Sequence, residues 1–353
     1  MSCFLISNMY PSPDNPAYGV FIKNIEHGLG EFGIPVKCKS VIRGRGGRKI
    51  DKIIKYVNFY FSIFVNYFKS YGFIYVHYPT YSAPIILLLL KLKRNKIVVN
   101  YHGEDLIYDQ NFLATFLGKL ADKLTRKYAD LVVVPSNHYR DVVLQRKLKE
   151  IDKIFVSPSG GIDTCLFKPL QNIIKGKFTI GFVGRLQEDK GILEFISVCK
   201  QIYESVPIEA YVIGYGPLLD DIRQEISNSS YIKLIEGVDQ HQLPVYYNNF
   251  DVFCFPSKRI TESLGLVGLE AMSCGVPVIG TNIGGIPTYL INNINGFLIS
   301  IDHIEEDMRS AILSYYHMSD EEKSAMRLNC IHTAEVYSQE RVIRDLVQIL
   351  MKI

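Results

Sequence analysis

Residues 255–280 read FPSKRITESLGLVGLEAMSCGVPVIG. The residues leading into this stretch, VFCF, are apolar and β-prone, and the run stops at Pro256, so the following residues fall in a loop at the carboxyl end of a buried strand. Gly265 then opens a helix. The first N–H groups of a helix lack partners within it and lie at the positive end of its dipole, which makes this turn a ready phosphate site. Two carboxylates frame the turn: Glu262 on the loop, and Glu270 about one and a half turns into the helix. The arrangement suits a nucleotide diphosphate. Glu270 is placed to accept hydrogen bonds from both ribose hydroxyls, and Glu262 to meet whatever hangs from the distal phosphate.

A second stretch fits the first. From Phe178 the chain reads FTIGFVGRLQEDKGILEFI, an apolar strand, then Gly184, then Arg185 and Lys190 around a turn into an amphipathic helix. Two cations beside a strand end favour a pyrophosphate leaving group, gripped by the paired N–H donors of Arg185 and the point charge of Lys190. The chain has no Asp-x-Asp pair. Protein cations are therefore expected to take the place of a magnesium ion, with no metal and no cofactor required.

Alternating strand and helix patterns extend outward from these two stretches. Strands are expected at 4–7, 36–41, 73–77, 96–101, 131–135 and 154–157, and again at 178–184, 210–214, 232–235, 252–255, 277–280 and 296–299, with helical patterns separating most of them. That is an α/β fold of two doubly wound parallel sheets. The length of 353 residues and the 48% hydrophobic content supply two cores. Domains are expected over 1–170 and 171–338, with a hinge near 169–177 and a closing helix at about 339–353 crossing back onto the first domain.

Composition excludes several classes. Seven cysteines with no C-x-x-C argue against a disulfide framework or a zinc site and for a reducing, cytoplasmic compartment. The opening MSCFLISNMY reads as a first strand and not as a leader, and the apolar run 83–90 is too short to span a bilayer. Residues 1–170 hold 24 Lys and Arg against 13 Asp and Glu, a surplus of +11, whereas residues 171–353 carry −8. The cluster Arg43, Arg45, Arg48, Lys49, Lys52 and Lys55 precedes the aromatic-rich stretch 56–68, which predicts peripheral attachment to the anionic inner face of a membrane. No nucleic-acid-binding motif accompanies the charge.

The motifs resemble the family 4 retaining glycosyltransferases, bacterial surface-polysaccharide enzymes (O-antigen, capsule, exopolysaccharide) among them. The resemblance rests on GRLQEDKG (Gly184–Gly191), the E-x7-E element with EAMSCGVPV (Glu262 and Glu270–Val278), GGIP (Gly284–Pro287) and NGFL (Asn295–Leu298). Weaker matches are YHGED (Tyr101–Asp105), PSGGIDTCLFKP (Pro158–Pro169) and YGVF (Tyr18–Phe21). Two positions depart from the family pattern. The first loop has Ala17-Tyr18-Gly19 in place of a Gly-Gly pair, and Thr288 follows GGIP where many members have Glu.

The resemblance implies a GT-B fold, two Rossmann-like domains facing across a cleft, with the donor on the second. It implies metal-independent transfer, with retention, from a nucleotide-sugar donor, with UDP ahead of GDP, to a glycan or lipid-linked acceptor. Catalytic roles fall to His102, Glu262, Arg185 and Lys190. Donor contacts fall to Gly19, Gly184, Arg185, Lys190, Gly237, Val238, Glu262, Ser263, Leu264, Gly265, Leu266, Val267 and Glu270, and thinly marked acceptor contacts to Asp105 and Ser136. A sugar-nucleotide epimerase on a related fold and a GDP-mannose-dependent mannosyltransferase stay open as alternatives. A nicotinamide oxidoreductase lacks its G-x-G-x-x-G after the first strand, and a non-catalytic scaffold needs no coherent cationic site.

Overall fold

The computed structural model describes residues 1–15, 18–44, 48–106, 112–171 and 176–353. The chain divides into two compact units, Met1–Gly161 with Glu340–Ile353, and Ile162–Gln339. The first holds β1 (Cys3–Tyr10), β2 (Val36–Arg43), β3 (Phe73–His77), β4 (Ile97–Asn100), β5 (Leu131–Val134) and β6 (Ile154–Val156). The second holds β7 (Phe178–Val183), β8 (Ile208–Ile213), β9 (Ile232–Ile235), β10 (Val252–Phe255), β11 (Val278–Thr281) and β12 (Gly296–Ile299).

All strand pairs in both sheets are parallel, in the orders β2-β1-β3-β4-β5-β6 and β12-β11-β10-β7-β8-β9. A parallel sheet is covered by helices on both faces, so its strands read as continuous apolar runs, and every residue of β3, β5 and β10 is buried. In each sheet the order reverses beside its first strand, between β1 and β3 and between β7 and β10. The connections leave such a point in opposite directions and open a crevice at the carboxyl ends of the two strands, where ligands of open α/β sheets bind.

The unit boundary falls at Gly161/Ile162, earlier than the 170/171 expected from the proline-containing stretch. The reason is that residues 162–170 are already tied to the second unit. Ile162 bridges Ser338, Ser273 Oγ donates to the Phe167 carbonyl at 2.5 Å, and the Leu170 N–H donates to Asn248 Oδ1 at 2.8 Å. Of the expected hinge, residues 172–175 lie outside the described residues, as do Ala17 and Arg45.

The last helix, Gln339–Leu350, buries Val342, Ile343, Leu346, Val347 and Leu350, one face at helical spacing. Ile343, Leu346, Val347 and Leu350 join Ile25, Leu29, Phe73, Tyr75 and Val133 in the first unit's core. Gly28 permits this approach, because a Cβ there would lie 2.8 Å from Ile343 Cγ2. Leu346 is fully buried. Leu346→Ala is expected to destabilise the first unit by about 2–5 kcal/mol, read as a lowered urea midpoint, while the second unit's transition keeps its position.

Candidate active site

Two loops meet at the carboxyl ends of β7 and β10. The β7 loop turns at Gly191, whose φ of +72° suits glycine, and a Cβ there would lie 2.0 Å from the Pro256 carbonyl oxygen of the β10 loop. The Lys258 N–H donates to the Asp189 carbonyl at 2.8 Å, and the Arg259 Nε lies 3.3 Å from an Asp189 carboxylate oxygen. This lacing fixes the two chemistry-bearing side chains relative to each other. Lys190 Nζ donates to Glu262 Oε2 at 2.6 Å, and Ser257 Oγ donates to the same oxygen at 2.9 Å. Ser257 is itself fixed by Thr281 Oγ1, which donates to its carbonyl at 2.6 Å. Lys190 also lies 5.7 Å from the centroid of the Phe255 ring.

Beyond Glu262 the chain reaches Gly265, the left-handed residue before the helix Leu266–Ser273. The half-buried Leu266 and Val267 supply first-turn N–H groups, which have no intrahelical partner. The Leu264 side chain is fully buried in the apolar core, so its backbone is what it offers a donor. Ser263 is half-buried beside it. On the β7 side, the Gly184 N–H is spent on the Ile213 carbonyl at 3.0 Å. The Arg185 Nε is buried without a hydrogen-bond partner. A buried, unpaired guanidinium N–H is costly unless an acceptor arrives.

Glu270 is 8% exposed and takes a hydrogen bond from Tyr247 Oη at 3.1 Å. Burial pushes its carboxyl up to about 7, against the opposing pull of hydrogen bonds from Tyr247 and Gln240. Gln240 comes from the loop after β9 that also carries Gly237 and Val238. Gly237 is exposed, with φ +66° and open space around it, and Val238 packs partly on the core. Neither Tyr247 nor Gln240 carries a sequence signal, because each is identified only by its partner.

The remaining predicted residues lie in the first unit. His102 follows β4 and is buried. Its Nε2 is 2.9 Å from His77 Nδ1 at the end of β3, and its ring lies against Phe21 at 4.8 Å and Tyr78 at 4.7 Å. Burial drives its pKa down to about 3 and that of His77 far below the ordinary value, so both imidazoles are neutral near pH 7. Tyr78 holds φ +51°, a left-handed backbone rarely taken by a bulky residue and one that collects at functional sites.

Asp105 is expected to touch an acceptor, yet its Oδ1 is engaged by the N–H groups of His102 and Gly103 at 2.9 and 3.0 Å, and Oδ2 is buried and unpaired. It therefore shapes the His102 turn. Burial raises its carboxyl to about 7. Ser136 begins the helix after β5 and is fully buried, with an unpartnered Oγ. Gly19, at φ +75°, begins the helix Val20–Glu31 directly over Met9. Among the described residues, no group of three His, Cys, Asp or Glu stands together as metal ligands.

The chain is 28% identical over 201 residues to the capsular polysaccharide biosynthesis glycosyltransferase CapM of Staphylococcus aureus, covering 52% of each. It is 29% identical over 192 residues to the Escherichia coli UDP-Gal:alpha-D-GlcNAc-diphosphoundecaprenol alpha-1,3-galactosyltransferase, covering 50% of this chain and 49% of that one. The chain thus spans about half the length of these curated relatives. Among solved structures, Anabaena HepE in complex with UDP superposes with a TM-score of 0.75 at 17% identity over the full length of both chains, which establishes the shared two-domain GT-B architecture. The region 167–334 matches the model of the glycosyl transferases group 1. That matched region contains both the β7 and the β10 loops, with Arg185, Lys190, Glu262 and Glu270.

Proposed function

We propose that this protein moves a sugar, with retention of anomeric configuration, from a UDP-sugar to a glycan or lipid-linked saccharide acceptor in bacterial surface-polysaccharide synthesis. The observation that carries the reading is the convergence of Arg185, the Lys190–Glu262 pair and the Gly265 helix start at the strand-order reversal of the second sheet. Breaking the anomeric bond leaves a nucleotide diphosphate with added negative charge, so donors fixed beside it lower the barrier. Arg185, with an N–H lacking a partner, accepts the diphosphate. Lys190 already has Glu262 as counter-ion, so Glu262 both neutralises that cation and is aimed to hold sugar hydroxyls. Glu270 takes the ribose, and neutral His102 contacts the transferred sugar. UDP is favoured because HepE is solved with it, and a lipid-linked acceptor because the Escherichia coli relative's name specifies one.

Glu270→Ala is expected to weaken UDP binding by about tenfold or more, the scale of a lost charge-assisted hydrogen bond. Glu262→Ala is expected to preserve UDP affinity, since it frees Lys190, and to lower turnover. Calorimetry with UDP checks both, and equal loss in the two variants overturns the assignment.

The raised Glu270 carboxyl adds a pH signature. Ribose hydroxyls donate best to the ionised form, so UDP affinity should rise from pH ~5.5 to ~8, and Glu270→Gln should flatten the profile. Stability should move the other way. The folded carboxyl, at about 7, binds its proton more tightly than an ordinary glutamate at 4.5, so its contribution is present at low pH and is lost as pH rises from 4.5 through about 7.

The transfer is also expected to be independent of divalent metal, because protein cations stand where magnesium would. Full turnover in excess EDTA is the outcome anticipated; abolition reversed by added magnesium refutes it.

A further inference from the structure

The helix Lys49–Tyr67 has two apolar faces. Phe59, Ile63 and Tyr67 are buried against the first sheet. The opposite side carries Ile50, Ile54, Val57, Phe61 and Phe64, continued by Phe68 just past the helix, in steps of three and four that stack them into one stripe. All six are solvent-exposed, Val57 at 61% and Phe61 at 67%. Apolar residues scattered singly need no account, but a continuous exposed stripe marks an interaction surface.

Charge identifies what covers it. Between Glu31 and Glu104 the chain holds a single acid, Asp51, against thirteen lysines and arginines. Arg48, Lys49 and Lys52 stand at the start of this helix, and the Arg48 side chain is 90% exposed. That is the positive end of the helix dipole, where cations are unfavourable on electrostatic grounds alone. Only Asp51 offsets them, accepting from the Arg48 N–H at 3.1 Å. Lys69 is exposed at the far end of the stripe. A protein partner of ordinary mixed charge would leave this one-signed border unmatched, whereas an anionic bilayer matches it throughout. Among the described residues no helix is long and apolar enough to cross a membrane.

We propose that the exposed stripe of the Lys49–Tyr67 helix lies in the surface of an anionic lipid bilayer, its aromatic rings at the headgroup boundary and its flanking cations on the lipid phosphates. Apolar insertion and basic attraction together give the two signals that stable peripheral attachment requires. The proposal goes beyond the catalytic reading and does not depend on it.

The test is co-sedimentation of the full chain with vesicles of phosphatidylcholine alone and of phosphatidylcholine with phosphatidylglycerol, at low and high salt. Wild type should partition onto the anionic vesicles at least ~10-fold better, with salt weakening binding without abolishing it. The double variant Val57→Glu/Phe61→Glu should lose that binding while retaining the wild-type far-ultraviolet circular dichroism and the first unit's urea transition, which shows that the fold persists. A second variant, Arg48→Ser/Lys49→Ser/Lys52→Ser, should lose the preference for anionic lipid. Unchanged binding by either variant overturns the proposal. So does a wild type that ignores vesicles yet sediments as a dimer that the double variant dissolves, since a second copy would then own the stripe.

Discussion

The 2.6 Å contact between Lys190 and Glu262 organises the second unit's site. It joins a loop leaving β7 to a loop leaving β10, two strands that are neighbours in space and far apart in sequence. The pair is largely buried, with 14% and 12% of the two side chains exposed, so each charge lowers the cost of burying the other. The bare Cα of Gly191 against Pro256 and the hydroxyl of Ser257 on the same carboxylate oxygen are the supports that hold the contact. With Lys190 so engaged, Arg185 is the cation left with a buried N–H and no acceptor. A site built this way divides its positive charge into a part already balanced and a part waiting for an anion.

The first unit follows a different logic. At the ends of β3 and β4 burial weakens charge: two imidazoles 2.9 Å apart are pushed down and stay neutral, and the Asp105 carboxyl is pushed up to about 7, where it is only partly ionised near neutral pH. Such groups orient by hydrogen bonding and contribute little field. The catalytic reading therefore assigns the handling of charge to one unit and contacts with neutral hydroxyls to the other.

Much of the fold was legible in the sequence because strands buried on both faces announce themselves as apolar runs. All twelve expected strands occur, with ends that coincide or differ by one to three residues. Gly265 was readable as the helix start because a positive-φ residue before an apolar run has few other uses. What the sequence concealed is partnership across distance. His77, Tyr78, Tyr247 and Gln240 carry no motif of their own, and nothing in E-x7-E says that its first carboxylate is already paired with Lys190. Membership of a motif also does not decide which way a side chain points, as the buried Leu264 shows. The boundary was misplaced because Pro169 and its polar neighbours resemble a linker, although the hydrogen bonds around Phe167 and Leu170 anchor them.

The helix Gln339–Leu350 fills the first unit's core from the far end of the chain. In a polypeptide that emerges from its N-terminus, the sheet of β1–β6 is made early, yet Ile25, Leu29 and Val133 remain uncovered until residues 340–353 follow. By then the whole of 162–339 is available to fold. The second unit, synthesised later, can thus be the first to complete its core. The earlier one waits with an apolar strip open to solvent, a natural occupant for a chaperone that recognises such strips during synthesis.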